Sequence, residues 1–273
     1  MNSGTTVNAP DESAQYAALL GKIEREHSVP CRGYKDRCLR RRIGVRMRAN
    51  SVHTFGDYAT VLDSAPGEWD KLLAALTINV TRFFRDAGAF AALEQDAYPA
   101  LAAAHAGLLA VWSAGCSHGQ EPYSLAMGLA EVVGLARFQV EATDVDALSL
   151  EAARAAQYSS EMVADIPLAR RDRWMTPGDP AIVRSELRSR VTVLRHDLLR
   201  DAMPAQRFHL IVCRNVIIYF SREAQAALFE QLHDALVPGG VLMLGKVETL
   251  VGPAREKFDT LNLRERLFRR STP

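Results

Sequence analysis

Two glycines on a strand-to-helix turn are the first residues of this 273-residue sequence whose types and spacing suggest chemistry. The stretch Val111 to Ala126 runs from the apolar segment Leu108–Trp112 through Gly115-Cys116-Ser117-His118-Gly119 into a helical pattern beginning near Tyr123. Glycine at such a turn accepts unusual φ and lets a ligand approach the backbone closely. The G-x-G-x-x-G spacing of dinucleotide sites is absent. The helix is also expected to start only after Pro122, which leaves its first N–H groups poorly aimed at a pyrophosphate. The turn therefore predicts a ligand that lacks one, with an ordinary βα connection as the plain alternative.

An acidic residue follows where a ribose would need it. The strand expected at Phe138–Thr143 runs into Asp144-Val145-Asp146. A carboxylate at the end of a second strand is placed to accept from a ribose diol. Capping the next helix is the competing role for Asp144, and Asp146 suits that role better. After a strand at Val191–Leu194 comes Arg195-His196-Asp197-Leu198. Here Asp197 can accept from an exocyclic amine while Leu198 packs on the ring; a simple polar loop residue is an equal alternative. The strand His209–Cys213 continues into Arg214-Asn215-Val216-Ile217-Ile218-Tyr219-Phe220. Ligands of open α/β sheets lie outside the carboxyl ends of the strands. Arg214, Asn215 and Tyr219 are thus expected to face the same crevice as Gly115 and Asp144, with a core role as the alternative for Tyr219. Far upstream, Ile78-Asn79-Val80-Thr81-Arg82-Phe83-Phe84-Arg85-Asp86 sets polar Asn79 and Thr81 among apolar neighbours and flanks a Phe-Phe pair with arginines. It reads either as a linker with an aromatic anchor or as a segment that folds over a ligand and presents Arg85 to an anion.

These residues need elements to hold them. From Asp11 to about Ile78 the apolar repeats fall at helical spacings: Tyr16, Leu19, Leu20, Ile23, then Tyr34, Cys38, Arg41, Val45, then Trp69, Leu72, Leu73, Leu76. Thr54 with Asp57 is an N-cap signal, and Pro66-Gly67 breaks the chain. The expectation is a flexible tail over 1–12 and a small all-helical domain over 13–80. An alanine-rich stretch with Phe90, Leu93, Ala97 and Leu101 on one face suggests a linker helix within 81–106. From 107 to 273 strands alternate with helices of ten to fifteen residues, including a Ser221-capped helix Arg222–Leu236, a Pro238-Gly239-Gly240 stop and a buried strand Val241–Leu244. This predicts an α/β fold with a doubly wound, mostly parallel sheet. Residues 160–192 fit the alternation poorly and are expected to form a small inserted subdomain.

Composition sets outer bounds. An apolar fraction of 48% can supply a sizeable core, and a net charge of +1 gives no global field toward nucleic acid or membrane. Cys31, Cys38, Cys116 and Cys213 form no C-x-x-C pair, and no Cys/His cluster has zinc spacing, so no metal is expected. No signal-peptide pattern and no apolar run approaching ~20 residues are present, so a cytoplasmic chain without membrane insertion is expected.

Taken together, the 78–86 segment, Trp112 to Met127, Thr143-Asp144-Val145-Asp146 and Cys213 to Phe220 resemble the chemotaxis receptor methyltransferases, the CheR family. The resemblance extends from about Tyr16 to Arg269. It implies a helical N-terminal domain and a Rossmann-like S-adenosylmethionine-dependent methyltransferase domain carrying a small antiparallel β-subdomain. It also implies methyl transfer to glutamate carboxylates on the cytoplasmic helices of chemoreceptors, releasing S-adenosylhomocysteine. By position, Asn79, Thr81, Arg85, Glu121, Asp144, Asp197, Leu198, Arg214 and Asn215 contact the cofactor beside Gly115 and Gly119. Arg85 and Tyr219 act at the methyl-transfer site. Gln120 stands where the family often has an acidic residue, and Lys246-Val247 where a Ser often precedes the equivalent of Glu248. The insert around Ala181 to Thr192 looks short beside members that grip a receptor's C-terminal peptide, so independence of such a tether is expected.

A glutamate carboxylate is already ionised at neutral pH and needs no strong base, only alignment behind the methyl carbon. Between Gly21 and Asn50 stand ten Lys/Arg against three Asp/Glu, a surplus of seven. Arg40, Arg41, Arg42, Arg46 and Arg48, with Arg37, crowd one expected helix and are assigned to binding an acidic receptor bundle. A solvated helix face is the plain alternative. RNA binding is disfavoured because few aromatics interleave the patch. The protein is expected to work as a monomer. The rival readings are a methyltransferase for RNA or a small molecule, and a signalling module that binds the cofactor without catalysis.

Overall fold

The computed structural model of the protein describes residues 11–27, 29–77 and 79–272, so the expected flexible tail lies outside the described residues except for Asp11 and Glu12. The chain forms two compact units, 1–78 and 79–273.

In the first unit, helices α1 (Glu12–His27), α2 (Asp36–Ala49), α3 (Phe55–Ser64) and α4 (Glu68–Leu76) enclose a core that includes Tyr16, Leu19, Ile23, Leu39, Ile43, Tyr58 and Leu72. Thr54 caps α3, accepting from the Asp57 N–H at 3.1 Å while its hydroxyl donates to the Asp57 carboxylate at 2.7 Å. Gly67 ends the break before α4 at φ +74°. The inward face of α2 differs from the expected one. Leu39, Arg42, Ile43 and Met47 are buried, whereas Val45 is 48% exposed. The arginine assignments change accordingly. Arg42 is buried and donates to the carbonyl of Leu76, so it holds α2 against the end of α4 and is no surface contact for a partner. Arg46 makes two bonds to the buried Glu68 carboxylate, at 3.0 and 2.7 Å, and Tyr58 donates to the same carboxylate at 2.8 Å. Burial alone would raise the Glu68 pKa, but Arg46 and Tyr58 outweigh it and hold the group below its ordinary value. Arg40 pairs with Asp36 and lies over the Tyr16 ring. Arg37, Arg41 and Arg48 remain exposed.

The second unit opens with α5 (Ala87–Ala92), a π-helical turn (Leu93–Ala97) and α6 (Tyr98–Ala104). Phe90, Leu93, Ala97 and Leu101 share one face as expected, but that face is buried in the core of the second unit, so the segment is part of that unit's packing. Then follow β1 (Leu109–Ala114), α7 (Gln120–Val132), β2 (Phe138–Asp144), α8 (Ala147–Ala155) and β3 (Gln157–Tyr158). Next come α9 (Leu168–Trp174), β4 (Ala181–Ile182), α10 (Ser185–Arg188), β5 (Val191–Arg195), β6 (Phe208–Cys213), α11 (Arg222–Ala235), β7 (Leu236–Leu244), β8 (Phe258–Asn262) and β9 (Leu267–Arg270).

The main sheet has seven strands in the order β5-β2-β1-β6-β7-β9-β8. The first five run parallel, and β9 and β8 close the edge antiparallel. Sequence periodicity missed that last hairpin because β8 buries only Phe258 and exposes the next three residues, so no alternation marks it as a strand. Pro238-Gly239-Gly240 lies inside β7, where pairing with β6 jumps from Phe208↔Leu236 to Leu210↔Val241. In the inserted region β4 pairs antiparallel with β3, which precedes it, yet Val163, Ile166, Trp174, Met175 and Leu187 belong to the same core as the sheet. Among the described residues, no helix is long and apolar enough to cross a membrane.

Candidate functional site

Strand β1 pairs with β2 on one side and β6 on the other, so the connectivity reverses direction at β1. In an open parallel sheet the crevice at that reversal, outside the carboxyl ends of the strands, is where ligands sit. Gly115 follows β1 with φ +87°, and a Cβ there would lie 2.3 Å from Cγ2 of Val216, the residue that leaves β6 by way of Asn215. Gly119 has φ +93°, and its Cβ would stand 2.8 Å from the Tyr158 hydroxyl and 3.1 Å from the Ala153 Cα. Both glycines are therefore demanded by backbone conformation and by close packing.

Helix α7 begins at Gln120, directly after Gly119, and not after Pro122 as expected. Proline in a first turn lacks only an N–H that has no helical partner anyway. Late helix onset thus gives no reason to exclude a pyrophosphate. A different feature weighs against one: Glu121, second in the helix, adds a carboxylate to the first turn, where its negative charge opposes a phosphate. Its side chain accepts from Ser113 Oγ at 2.8 Å and pairs with Arg214 Nη1 at 3.4 Å. Burial pushes the Glu121 pKa up, against the opposing pull of Arg214 and Ser113.

Asp144, at the end of β2, accepts from the backbone N–H of Ser117 at 2.8 Å, of Val145 at 2.8 Å and of Asp146 at 3.1 Å. It ties the glycine turn to the neighbouring strand while burial raises its pKa. Asp146 is the cap of α8, accepting from the Leu148 N–H at 3.2 Å, as its sequence position suggested. Asn79 donates to Asp146 at 2.6 Å and accepts from Ser117 Oγ at 3.3 Å, so the 79–86 segment does lie on the glycine turn. Thr81 follows in the same segment, half-buried. Beyond β5, Asp197 accepts from the Leu199 N–H at 2.9 Å through Oδ1. Its Oδ2 is buried and has no partner among the described residues, and Leu198 beside it is buried.

Arg214 is almost wholly buried and binds three groups: Asp86 at 2.7 Å, the Arg85 carbonyl at 2.9 Å and Glu121. Its Nε has no partner among the described residues. Arg214 therefore clamps the 79–86 segment to the sheet edge. Phe84 (φ +49°) and Asp86 (φ +62°) flank Arg85 in left-handed conformations that cost side-chain-bearing residues about 1–2 kcal/mol each. The Phe84 N–H donates to Ser124 Oγ at 3.0 Å, and Arg85 Nη1 donates to the Val80 carbonyl at 2.7 Å. Asn215, at φ +61°, lies two residues before the short 3₁₀ turn Ile217–Tyr219, which carries half-buried Tyr219. The buried Glu248 carboxylate accepts from the N–H groups of Asn215, Gly245 and Ile218, at 2.9, 2.7 and 3.3 Å, and fixes that turn. Asp86, Ser124, Val216 and the anchoring role of Glu248 were not foreseen. Asp86, which ends the Phe-Phe-Arg-Asp run, and Glu248 carry the charges that could have pointed to them; Ser124 and Val216 carry no such signal.

These residues fit a nucleoside-bearing ligand that has no pyrophosphate. Asp197 Oδ2 is an open, buried acceptor, Asp144 stands by the glycine turn, and a Cβ at 115 would fill the space beside Val216. Fold and site together define an S-adenosylmethionine-dependent methyltransferase. The sequence model described as the SAM-binding domain of CheR methyltransferases matches residues 79–267, and that of their all-alpha domain matches residues 14–77. A chemotaxis protein methyltransferase of Listeria innocua is 34% identical over 254 residues, covering 93% of this chain and 97% of that protein. One from Escherichia coli is 34% identical over 246 residues, covering 86% and 84%. The chain belongs to the CheR methyltransferase family.

Proposed function

We propose that this protein methylates glutamate side chains of chemoreceptors in the cytoplasm, acting as a protein-glutamate O-methyltransferase that needs no C-terminal receptor tether. The observation that carries the reading is the presentation of Arg85. Its two neighbours are locked in left-handed turns, its carbonyl is held by Arg214, and among the described residues its guanidinium makes one backbone bond. That leaves a cation free to orient an incoming carboxylate. Bound S-adenosylmethionine supplies an electrophilic methyl group on a sulfonium leaving group. Gly115, Gly119, Asp144, Asp197 and Leu198 are assigned to its nucleoside, with Asn79, Thr81, Glu121, Arg214 and Asn215 around them. Arg85 and Tyr219 orient the acceptor carboxylate, and no residue has to remove a proton from it.

Tether independence draws support from the insert. Strands β3 and β4 are two residues each, and α10 starts at Ser185 soon after β4, which offers little strand edge for a peptide to extend. The decisive assay incubates the protein with receptor-containing membranes and methyl-labelled donor. Base-labile label on the receptor, lost in Arg85→Ala, is the expected result. Base-stable label, or label on RNA instead, would remove carboxyl methylation from consideration.

A further inference from the structure

One side chain of the inserted region reaches the segment that carries Arg85. Arg170, on α9, pairs with Glu94 through both terminal nitrogens at 2.8 Å and with Glu131 through Nε at 2.8 Å. Trp174 donates to the other oxygen of Glu131 at 3.1 Å. The guanidinium also lies over the Phe84 ring, its central carbon 5.0 Å from the ring centroid. Phe84 also packs edge-on against Phe90 at 5.3 Å.

The surroundings are shaped for this contact. Glu94 stands in the π-helical turn, a distortion that often accompanies functional sites. Gly128 leaves room for its carboxylate, since a Cβ there would lie 2.8 Å from Oε1. If Arg170 served only to fasten α9, the Trp174–Glu131 bond and one ion pair would do so without a planar group. Lysine can neither bind Glu94 at two points nor stack on a ring.

We propose that Arg170 is a positioning residue for methyl transfer. By holding the Phe84 ring it keeps residue 84 in the left-handed turn that aims Arg85. Phe84 is then gripped at its backbone by Ser124 and at its ring by Arg170, and a shift of α9 is transmitted to the acceptor-orienting guanidinium. This rests on the role proposed above for Arg85.

The test compares Arg170→Lys and Phe84→Leu, singly and together, in the wild-type and Arg85→Lys backgrounds. The readouts are the methyl-transfer rate at saturating donor and receptor, and S-adenosylhomocysteine affinity by calorimetry. Each single variant is expected to lower the rate about ten- to a hundred-fold, the cost of a misplacement near 1 Å, with affinity unchanged. The double variant should be no slower than either single one. In the Arg85→Lys background, Arg170→Lys should add less than about a two-fold loss. An equal loss in both backgrounds, a loss confined to affinity or KM, or a wild-type rate in Arg170→Lys would overturn the proposal. If Arg170→Lys fails to fold, Phe84→Leu, which leaves all the ion pairs in place, carries the same comparison. A wild-type rate in Arg85→Lys together with Arg85→Ala would instead overturn the functional reading beneath it.

Discussion

A methyl group added at Gly115 meets two obstacles of different kinds. Backbone φ of +87° strains any side-chain-bearing residue, and Cγ2 of Val216 stands 2.3 Å from the new carbon. Gly115→Ala should lose S-adenosylhomocysteine binding by more than about ten-fold, because the turn must shift toward the ligand space. Gly115→Ala/Val216→Ala should recover part of the affinity, since only the clash is relieved; calorimetry on both variants checks this. Asp197 makes a second, sharper case. Its buried Oδ2 lacks a partner among the described residues, which is costly unless a ligand donor meets it. Asp197→Asn should weaken cofactor binding about ten- to a hundred-fold with little change in Tm, and an unchanged Kd would remove Asp197 from the adenine pocket. The importance of Gly115 was legible in the sequence because a glycine between strand and helix has few explanations. Val216 was not, because close contact between two loops leaves no trace in spacing.

Elements were read best where a local chemical rule acts. The Thr54 cap, the Asp146 cap and the Ser221 cap all lie where side-chain oxygens precede helical runs. They were read worst where tertiary burial decides. On α2 the expected face of Cys38, Arg41 and Val45 gives way to Leu39, Arg42, Ile43 and Met47, with a long arginine, Arg42, in the interior satisfying a helix-end carbonyl. The same burial separates arginines that look alike in sequence. Arg46→Ala leaves the Glu68 carboxylate, 2% exposed, without its cation and should cost about 3 kcal/mol of stability in denaturant unfolding, whereas Arg41→Ala should cost less than about 0.5 kcal/mol. The sheet has its own titratable contact. Nδ1 of His209 accepts from the Ala110 N–H at 3.0 Å, which requires a neutral ring, and burial together with neighbouring His105 lowers the His209 pKa below 6.5. Below pH 6.5 the unfolded chain then binds more protons at this site than the folded one, so stability falls as the pH drops through that window toward the folded pKa. Unfolding midpoints between pH 7.5 and 5.5 should decline more in the wild type than in His209→Asn, whose amide oxygen can accept the same N–H without titrating.

At the scale of the whole molecule, net charge is only +1, so any attraction to an acidic partner has to be local. The structure narrows the basic cluster of the sequence to a smaller set. Arg42 is interior, Arg46 is bound to Glu68 and Arg40 to Asp36, which leaves Arg37, Arg41 and Arg48 exposed. At about 100° per residue these three fall within ~40° of one another on α2, on the face opposite the core. They form an exposed basic stripe, and under the function proposed above it is this stripe that would meet the acidic receptor, while the SAM-binding domain spans residues 79–267. Substrate capture and methyl transfer should therefore be separable by mutation. Arg37→Glu/Arg41→Glu/Arg48→Glu should leave S-adenosylhomocysteine affinity and Tm nearly unchanged, because all three side chains are exposed and none has a buried partner among the described residues. The same variant should lower kcat/KM for receptor methylation about ten-fold or more at low ionic strength, with kcat at saturation close to wild type. Above about 0.3 M salt the Debye length falls to roughly 5–6 Å, and the difference between variant and wild type should shrink toward two-fold. A loss that is independent of salt, or one that appears in kcat, would mean that these arginines do not steer the substrate and that the stripe is a solvated helix face.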